Sequence, residues 1–180
     1  MHLQTDPKMV AKLAEEREDA NWRFRTFLKG IDLEIEEIDA IVHRHYQDVA
    51  RQIDCCACGN CCREVLPTLD DADVRRLSAG LGTTPEEIIA RYLTRDEDGD
   101  LTFNRRPCPF LSGNLCRVYE YRPEMCRSYP HLQKEDFVFR LAQAVSNCSI
   151  CPIAFNVYER LKAELWHRPQ FDWEEEWEEE

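Results

Sequence analysis

The sequence lacks several features that define common classes of protein. No window of its 180 residues approaches the ~18 consecutive apolar residues that a membrane-spanning helix needs. The first 22 residues mix acids and bases, without the uncharged apolar run of a secretory signal peptide. We therefore expect a cytoplasmic protein with no membrane-inserted segment.

Standard cofactor and hydrolase motifs are also missing. The chain has six glycines, and they form neither a P-loop nor the glycine-rich turn of a dinucleotide or common adenosylmethionine fold. Neither a GxSxG turn nor an HExxH helix occurs. The radical-adenosylmethionine pattern fails as well, because the third cysteine it requires falls at Val65. No enzyme class is therefore indicated by a standard motif.

Basic residues are scarce relative to acidic ones. The 23 Lys and Arg against 35 Asp and Glu give a formal net charge of −12, which disfavours a nucleic-acid partner. Residues 101–130 are an exception, because arginines outnumber glutamates there and alternate with cysteines. Guanidinium groups can offset thiolate charge in a desolvated site. We predict that Arg63, Arg117 and Arg127 contact a thiolate-bound cofactor; ordinary surface charge or pairing with acids is the alternative.

Cysteine, in contrast, is abundant. Ten cysteines in a chain without an export signal favour metal or redox-cofactor ligation over disulfides. Cys55, Cys58 and Cys61 are separated by two residues each, which lets one loop turn three thiolates toward one centre, as in zinc knuckles and iron–sulfur loops. The side chains of the adjacent Cys61 and Cys62 diverge. Either they serve different metals or only one of them is a ligand.

Five more cysteines follow downstream. Setting aside Cys56 and one of Cys148 and Cys151 leaves eight thiolates, enough for two four-coordinate sites. The long gaps between them cost little, because closure entropy rises only with the logarithm of loop length. Metal binding would then stabilise the fold itself. The predicted metal-binding residues are Cys55, Cys58, Cys61, Cys62, Cys108, Cys116, Cys126, Cys148 and Cys151.

The pattern outside the cysteines is mostly helical. Apolar residues recur at helical spacing over about residues 6–53, with Gly30 expected to separate two helices. Further helices are predicted at 69–79, from a Thr84-Pro85 start, after Pro123 and at 153–166. Residues 108–119 read as a β-hairpin that turns at residues 112–114. Residues 137–145 read as a strand.

These elements predict an α+β fold. It consists of a small, mostly helical, metal-stabilised domain with a short β-hairpin, preceded by an N-terminal helical hairpin. The predicted division is an N-terminal arm at 1–53, a cysteine-cluster metal-binding domain at 54–168 and an acidic tail at 169–180.

The cysteine blocks resemble a known family. The motif CxxCGxCC at residues 55–62, the block CPFLxxxxCxVYExRPxxCRxYP at 108–130 and the closing cysteines at 148–152 are similar to the YkgJ-type cysteine-cluster family. This is the CxxCxxCC domain, described as zinc- or iron-chelating. The resemblance covers about residues 55–152 and implies metal chelation by the first seven predicted cysteines with Cys148 or Cys151. Flagellin lysine methylases have a similar block, which extends the expectation to protein lysine methylation.

Three functions remain open at this point. The first is a metal-binding protein that holds a [4Fe–4S] cluster, zinc or both, with iron–sulfur preferred because a vicinal cysteine pair among cations is unusual for a zinc ribbon. The second is an enzyme or enzyme component acting on a peptide or protein, with Arg127, Tyr129 and His131 near the centre. The third is a zinc-stabilised adaptor that binds a protein partner through its helical arm.

Overall fold

The computed structural model describes residues 3–166. They form two compact units: the first contains the described parts of residues 1–52 and 132–180, and the second contains residues 53–131. The fold is α+β and mostly helical, as predicted. No helix within residues 3–166 has the length and apolar character needed to cross a membrane. His167 and the predicted tail at 169–180 lie outside the described residues.

Helices alternate with short strands along the chain. In chain order the helices are α1 (Pro7–Glu16), α2 (Glu18–Gly30), α3 (Ile35–Ala50), α4 (Cys55–Cys58), α5 (Cys61–Glu64), α6 (Asp71–Leu81), α7 (Pro85–Tyr92), α8 (Glu124–Ser128), α9 (Leu141–Cys148) and α10 (Pro152–Leu161). The strands are β1 (Thr68–Leu69), β2 (Leu93–Arg95), β3 (Leu101–Phe103), β4 (Leu111–Ser112) and β5 (Leu115–Cys116). Two 3-10 helices, Tyr119–Tyr121 and Phe137–Arg140, and one π-helical turn, Lys162–Trp166, complete the set.

The first unit packs around α10, which lies against α1, α3 and α9. Most of the side chains of α10 are buried, so this helix is apolar on nearly all sides rather than along one stripe. The Tyr158 ring meets the Phe24 ring edge to face, with centroids 5.3 Å apart, and its hydroxyl donates to the Asn21 carbonyl at 3.1 Å. The aromatic contact and the hydrogen bond join α2 to α10.

The expected strand at 137–145 is wrong, because this segment is a 3-10 helix followed by α9. The reason lies in α3, where the buried Asp39 carboxylate accepts the backbone N–H groups of Asp136 and Phe137 at 2.7 and 2.9 Å. These bonds satisfy amides at the start of a helix. Leu141, Val145 and their neighbours then pack inward at helical rather than alternating spacing.

The grouping of residues 132–166 differs from the predicted division. The sequence predicts that these residues belong to the cysteine-cluster domain. In the structure, however, their helices pack with the N-terminal helices in the first unit. The N-terminal segment also contains one more helix than expected. Gly30 ends α2 as anticipated, but Arg17 leaves the helical conformation and separates α1 from α2.

The second unit combines α6 and α7 with a three-stranded antiparallel sheet of order β1-β3-β2. Thr84 caps α7 by accepting the Glu87 amide, and Pro85 occupies the first helical position, as the sequence predicts. A two-stranded hairpin, β4–β5, turns at Gly113 in the expected segment. The apolar core is formed by Leu69, Val74, Leu77, Ile88, Leu93, Phe103, Phe110 and Val118.

The side chain of Tyr121 rests on the surface of α6 at Gly80. A Cβ atom built at Gly80 would overlap the Tyr121 ring, so only glycine admits this contact. The contact holds the 3-10 helix Tyr119–Tyr121 against α6. Glycine here therefore has a packing role inside a helix, where it would otherwise be unfavourable.

We expect Gly80→Ala to destabilise the protein by about 1–3 kcal/mol, because the methyl group displaces the Tyr121 ring. Gly30→Ala is the matched control: it lies at the exposed end of α2, and nothing lies within 4 Å of its added Cβ. That control should be neutral or stabilise the chain by up to about 1 kcal/mol. Urea unfolding midpoints measure both. Equal midpoints for the two variants would contradict the packing role.

Candidate metal centre

Eight of the ten cysteines lie in the second unit, and all ten are free thiols. The eight are distributed over four segments, namely the α4–α5 turns, the loop before β4, strand β5 and α8. The cysteines of the second unit are Cys55, Cys56, Cys58, Cys61, Cys62, Cys108, Cys116 and Cys126. The remaining two, Cys148 and Cys151, lie in the first unit.

The CxxCxxCC run folds as two four-residue helical turns. Asp54 caps the first turn, α4, by accepting the Cys56 amide at 2.8 Å. Gly59 ends it with a φ of 58°, a left-handed conformation that glycine adopts without strain. The chain then turns directly into α5. Two short helical turns therefore present five cysteines in succession.

Cys108 is held next to this run by the backbone. Its amide donates to the Cys62 carbonyl at 2.8 Å. Its sulfur in turn accepts backbone hydrogen bonds from Phe110 and Leu111. Across the hairpin, Leu111 pairs with Cys116, whose sulfur accepts a backbone bond from Val118. Backbone N–H groups that donate to a sulfur favour its thiolate form, and such hydrogen bonds are common around metal-bound cysteines.

A buried carboxylate fixes the segment that carries Cys126. Asp73 on α6 accepts the Glu124 amide at 3.0 Å and the Arg76 guanidinium at 2.5 Å. The Glu124 amide lies at the start of α8, where backbone N–H groups have no hydrogen-bond partner within the helix. Because α8 is only five residues long, this anchor determines where Cys126 lies.

Four of the thiols are mutual neighbours. Burial, with smaller effects from Cys62, Cys108 and Cys116, raises the pKa of Cys126 to about 12. Burial likewise raises the pKa of Cys108 to about 11, and the nearby Cys62 and Cys116 contribute to this increase. Burial also raises the pKa of Cys116, with Cys62 again beside it. We call Cys62, Cys108, Cys116 and Cys126 the inner set.

Cys62 differs from its neighbours in acidity. A hydrogen bond from the Cys61 thiol, opposed by burial and assisted by Arg63 and Arg122, lowers the pKa of Cys62 to about 7. The charge of the Cys62 thiolate in turn raises the pKa of the other three members of the inner set. It is therefore the most acidic thiol of the inner set.

The remaining thiols of the run form a second group on α4 and α5. Burial, followed by the nearby Cys58 and Cys56, raises the pKa of Cys55. Cys56 shares a hydrogen bond with the Tyr119 hydroxyl. We call Cys55, Cys56, Cys58 and Cys61 the outer set.

Between residues 3 and 166, no three Cys, His, Asp or Glu side chains are arranged to hold a metal ion as they stand. The inner thiols are neighbours without converging on one point. Their chemistry nevertheless fits a soft metal or an iron–sulfur cluster, because every donor is sulfur and two of the sulfurs already accept backbone N–H groups. Cys108 and Cys116 also pack against the apolar core, which limits solvent access.

The three arginines predicted to contact a cofactor are engaged with backbone carbonyls. Arg63 donates to Gly59 and Gly113 at 2.8 Å each, and Arg117 donates to Pro109 at 3.0 Å. Arg127 donates to Arg122 at 3.1 Å and also to Glu120. Among the three, Arg63 is the one that lowers a thiol pKa, that of Cys62. Their cofactor contacts stay a prediction.

Arg122 is the cation that the sequence interpretation did not select. Its positive charge acts to lower the pKa of Cys62, Cys116 and Cys126, and also that of Cys55. Its position in the RP pair of the 108–130 block was the available signal. Sequence separation from the cysteines gave no reason to prefer it over its neighbours.

Cys148 and Cys151 have a different environment. Both are buried in the first unit, and the Cys148 thiol donates to the Ala144 carbonyl at 3.2 Å within α9. Burial raises the pKa of Cys148 far above its usual range, so this thiol is neutral. These properties are those of a packed core cysteine. The ligand role of Cys148 or Cys151 stays a prediction.

His131 and Tyr129 lie at the end of the second unit. His131 is buried, and its Nδ1 is 2.9 Å from the Ser128 hydroxyl. The Tyr129 and His131 rings meet edge to face, with centroids 5.8 Å apart. These contacts give both side chains a packing role next to α8.

The sequence comparison identifies the class to which this site belongs. A family profile described as "Putative zinc- or iron-chelating domain", with the family name CxxCxxCC, matches residues 54–152. The match spans more than half of the chain, and the chain belongs to this family. Metal chelation through its cysteine cluster is therefore supported at the level of zinc or iron. No curated protein and no solved structure shows significant similarity to the chain.

Gly59 allows the outer turns to meet the hairpin. A Cβ atom there would lie 3.0 Å from the Asn114 carbonyl oxygen and 3.1 Å from the Arg63 guanidinium. Asn114 in turn donates to the Ala57 carbonyl at 2.6 Å and accepts from Arg63 at 2.5 Å. This contact region ties the two cysteine segments together.

Gly59→Ala should therefore weaken both folding and metal retention. Gly113→Ala is the control, since its φ of 62° is also left-handed but nothing lies within 4 Å of the added Cβ. The control should cost about 1–2 kcal/mol from backbone strain alone, and Gly59→Ala at least about 1 kcal/mol more. Urea midpoints and bound metal per chain test this. If Gly59→Ala and Gly113→Ala had the same urea midpoint and the same metal content, the Gly59 contact would not position the cysteines.

Proposed function

We propose that the second unit is a metal-chelating module whose eight thiolates bind the metal, with the inner set as its principal centre. The observation that carries this proposal is the grouping of Cys62 with three cysteines from three other segments, Cys108, Cys116 and Cys126. An apolar core would not require four neighbouring thiols, whereas a four-coordinate metal centre does. The outer set is available for a second ion.

We favour an iron–sulfur cluster over zinc in the inner set. Backbone N–H donors to sulfur and solvent exposure both tune cluster potentials, and Cys108 and Cys116 accept such donors and are partly buried against the apolar core. A cluster would supply one-electron chemistry, and zinc a structural link. In either case the residues of the chain perform the same tasks: they gather thiols, orient donors toward sulfur and exclude water.

The test compares cysteines of the two units. After purification without oxygen, we expect Cys126→Ala to lose at least about half of the bound metal, because the inner set loses one of four ligands. Cys148→Ala and Cys151→Ala should retain the wild-type metal content. Iron, zinc and acid-labile sulfide per chain are measured for each protein. Iron with matching sulfide identifies a cluster, and zinc without sulfide identifies a zinc centre.

Three results would contradict the proposal. Full metal content in Cys126→Ala would remove the inner set as a centre. Loss of metal in Cys148→Ala or Cys151→Ala equal to the loss in Cys126→Ala would extend the ligand set into the first unit. A wild-type protein that contains no metal after purification without oxygen would also contradict it, because the chain would then have no chelating function to assign.

A further inference from the structure

A cleft of about 410 Å³ lies within the first unit, between α1, α2 and α9. Its volume falls in the range of ligand sites in proteins. The buried Ala14 and Val145 contribute its apolar part, and the Trp22 ring, which is 40 % exposed, forms one wall. The Arg25 guanidinium lies over this ring, 5.4 Å from its centroid, without lining the cleft. The proposed metal centre uses none of these residues.

The rim of the cleft carries hydrogen-bond acceptors. Glu15 of α1 and Glu18 of α2 line it, together with Ser146 and Ser149. Both serine hydroxyls donate to backbone carbonyls, at 3.1 and 2.9 Å, so their oxygens remain as acceptors. No lysine or arginine among residues 3–166 lines the cleft. The rim therefore presents two negative charges and acceptor oxygens.

The cations nearest to these glutamates in the sequence are paired elsewhere. Arg17 forms a salt bridge with a glutamate of α10 at 2.6 Å, and Lys12 pairs with Glu16 at 3.7 Å. In the described part of the chain, Glu15 and Glu18 form no ion pair. Like charges one helical turn apart repel each other, so a cation in the cleft would relieve that repulsion.

Asn21 adds a hydrogen-bond donor to the lining. This residue is 2 % exposed, and its Oδ1 accepts the Lys162 ammonium at 2.9 Å. That bond fixes the side-chain amide and leaves Nδ2 as the group that serves the cleft. Between residues 3 and 166, no acceptor is bonded to Nδ2. A donor left in this state favours a ligand that brings an acceptor.

The rim is open to solvent, because Glu15, Glu18, Ser146 and Ser149 are all exposed. An open cleft admits one side chain of a longer polypeptide that continues along the surface. A polypeptide also supplies a carbonyl acceptor at every residue. The cleft therefore suits a basic side chain on a partner protein.

We propose that this cleft binds an arginine side chain in an extended segment of a partner protein. The guanidinium lies between Glu15 and Glu18, its stem packs along Trp22, and a backbone carbonyl of the segment accepts from Asn21 Nδ2. Arginine fits better than lysine, because its planar fork serves two carboxylates at once and packs well on aromatic rings. This binding does not depend on the proposed metal centre.

The test is an NMR titration of the ¹⁵N-labelled full chain with the capped peptide acetyl-Ala-Arg-Ala-amide. We expect amide shifts around the cleft and a Kd below about 1 mM at low ionic strength. The same peptide with citrulline, a neutral isostere of arginine, should bind about tenfold more weakly. Propylguanidinium has the side chain without backbone carbonyls, so it should bind about threefold more weakly.

Variants of single glutamates locate the binding. Glu15→Gln and Glu18→Gln should each weaken binding of the arginine peptide by about threefold to fivefold, because each removes one carboxylate partner. Glu16→Gln is the matched control, since it removes the same charge from α1 outside the cleft lining. Its affinity should stay within about twofold of wild type. All three positions are exposed, and the free spectra report whether each variant is folded.

Four outcomes would overturn the proposal. The first is a wild-type chain whose cleft amides do not shift at millimolar arginine peptide. The second is equal binding of the citrulline peptide, which would remove the role of charge. The third is equal binding of propylguanidinium, which would assign the cleft to a small organic cation. The fourth is an equal loss in Glu16→Gln and Glu18→Gln, which would reduce the effect to overall charge. None of these outcomes bears on metal content, so the proposed function is tested separately.

Discussion

The backbone hydrogen bond between the Cys108 amide and the Cys62 carbonyl joins two cysteine segments that are more than 40 residues apart in the chain. The other contacts of the site build on this junction. The hairpin places Cys116 beside Cys108, and Asp73 fixes the start of α8 and so the position of Cys126. Cys108 and Cys116 also pack against the apolar core of the second unit. The cysteine segments are therefore held by these hydrogen bonds, by the core and, in our account, by the metal itself.

The arginines of the second unit brace the loops that carry cysteine. Arg63 and Arg117 donate to backbone carbonyls, which uses the fixed fork of the guanidinium, and Arg63 in addition lowers the pKa of Cys62. Arg122 stacks on the Tyr119 ring and donates to the Tyr119 carbonyl. The arginines that alternate with cysteines in the sequence therefore hold the backbone of the cysteine segments.

Local signals in the sequence were reliable where the interaction itself is local. The Thr84 cap, the turn at Gly113 and the short helix after Pro123 each depend on neighbouring residues, and each was predicted correctly. The segment at 137–145 was misassigned because its start is fixed by Asp39, almost a hundred residues away.

The candidate site shows the same limit. Spacing and the family resemblance predict chelating cysteines in the segment that the family match covers, and the match supports chelation of zinc or iron there. Which cysteines are ligands stays a prediction. Which thiols become neighbours depends on contacts among four separate segments. The family match likewise identifies the metal only as zinc or iron. Spacing alone also could not assign Cys148 and Cys151 to the first unit.

The most direct test of a thiolate-bound centre is X-ray absorption at the metal edge of the intact protein, purified without oxygen. Our account predicts a first shell of sulfur only, with about four sulfur atoms per metal at ~2.3 Å. A short metal–metal distance in addition would indicate the cluster form. A first shell dominated by nitrogen or oxygen would contradict the account, because it would place the metal outside the cysteine sets.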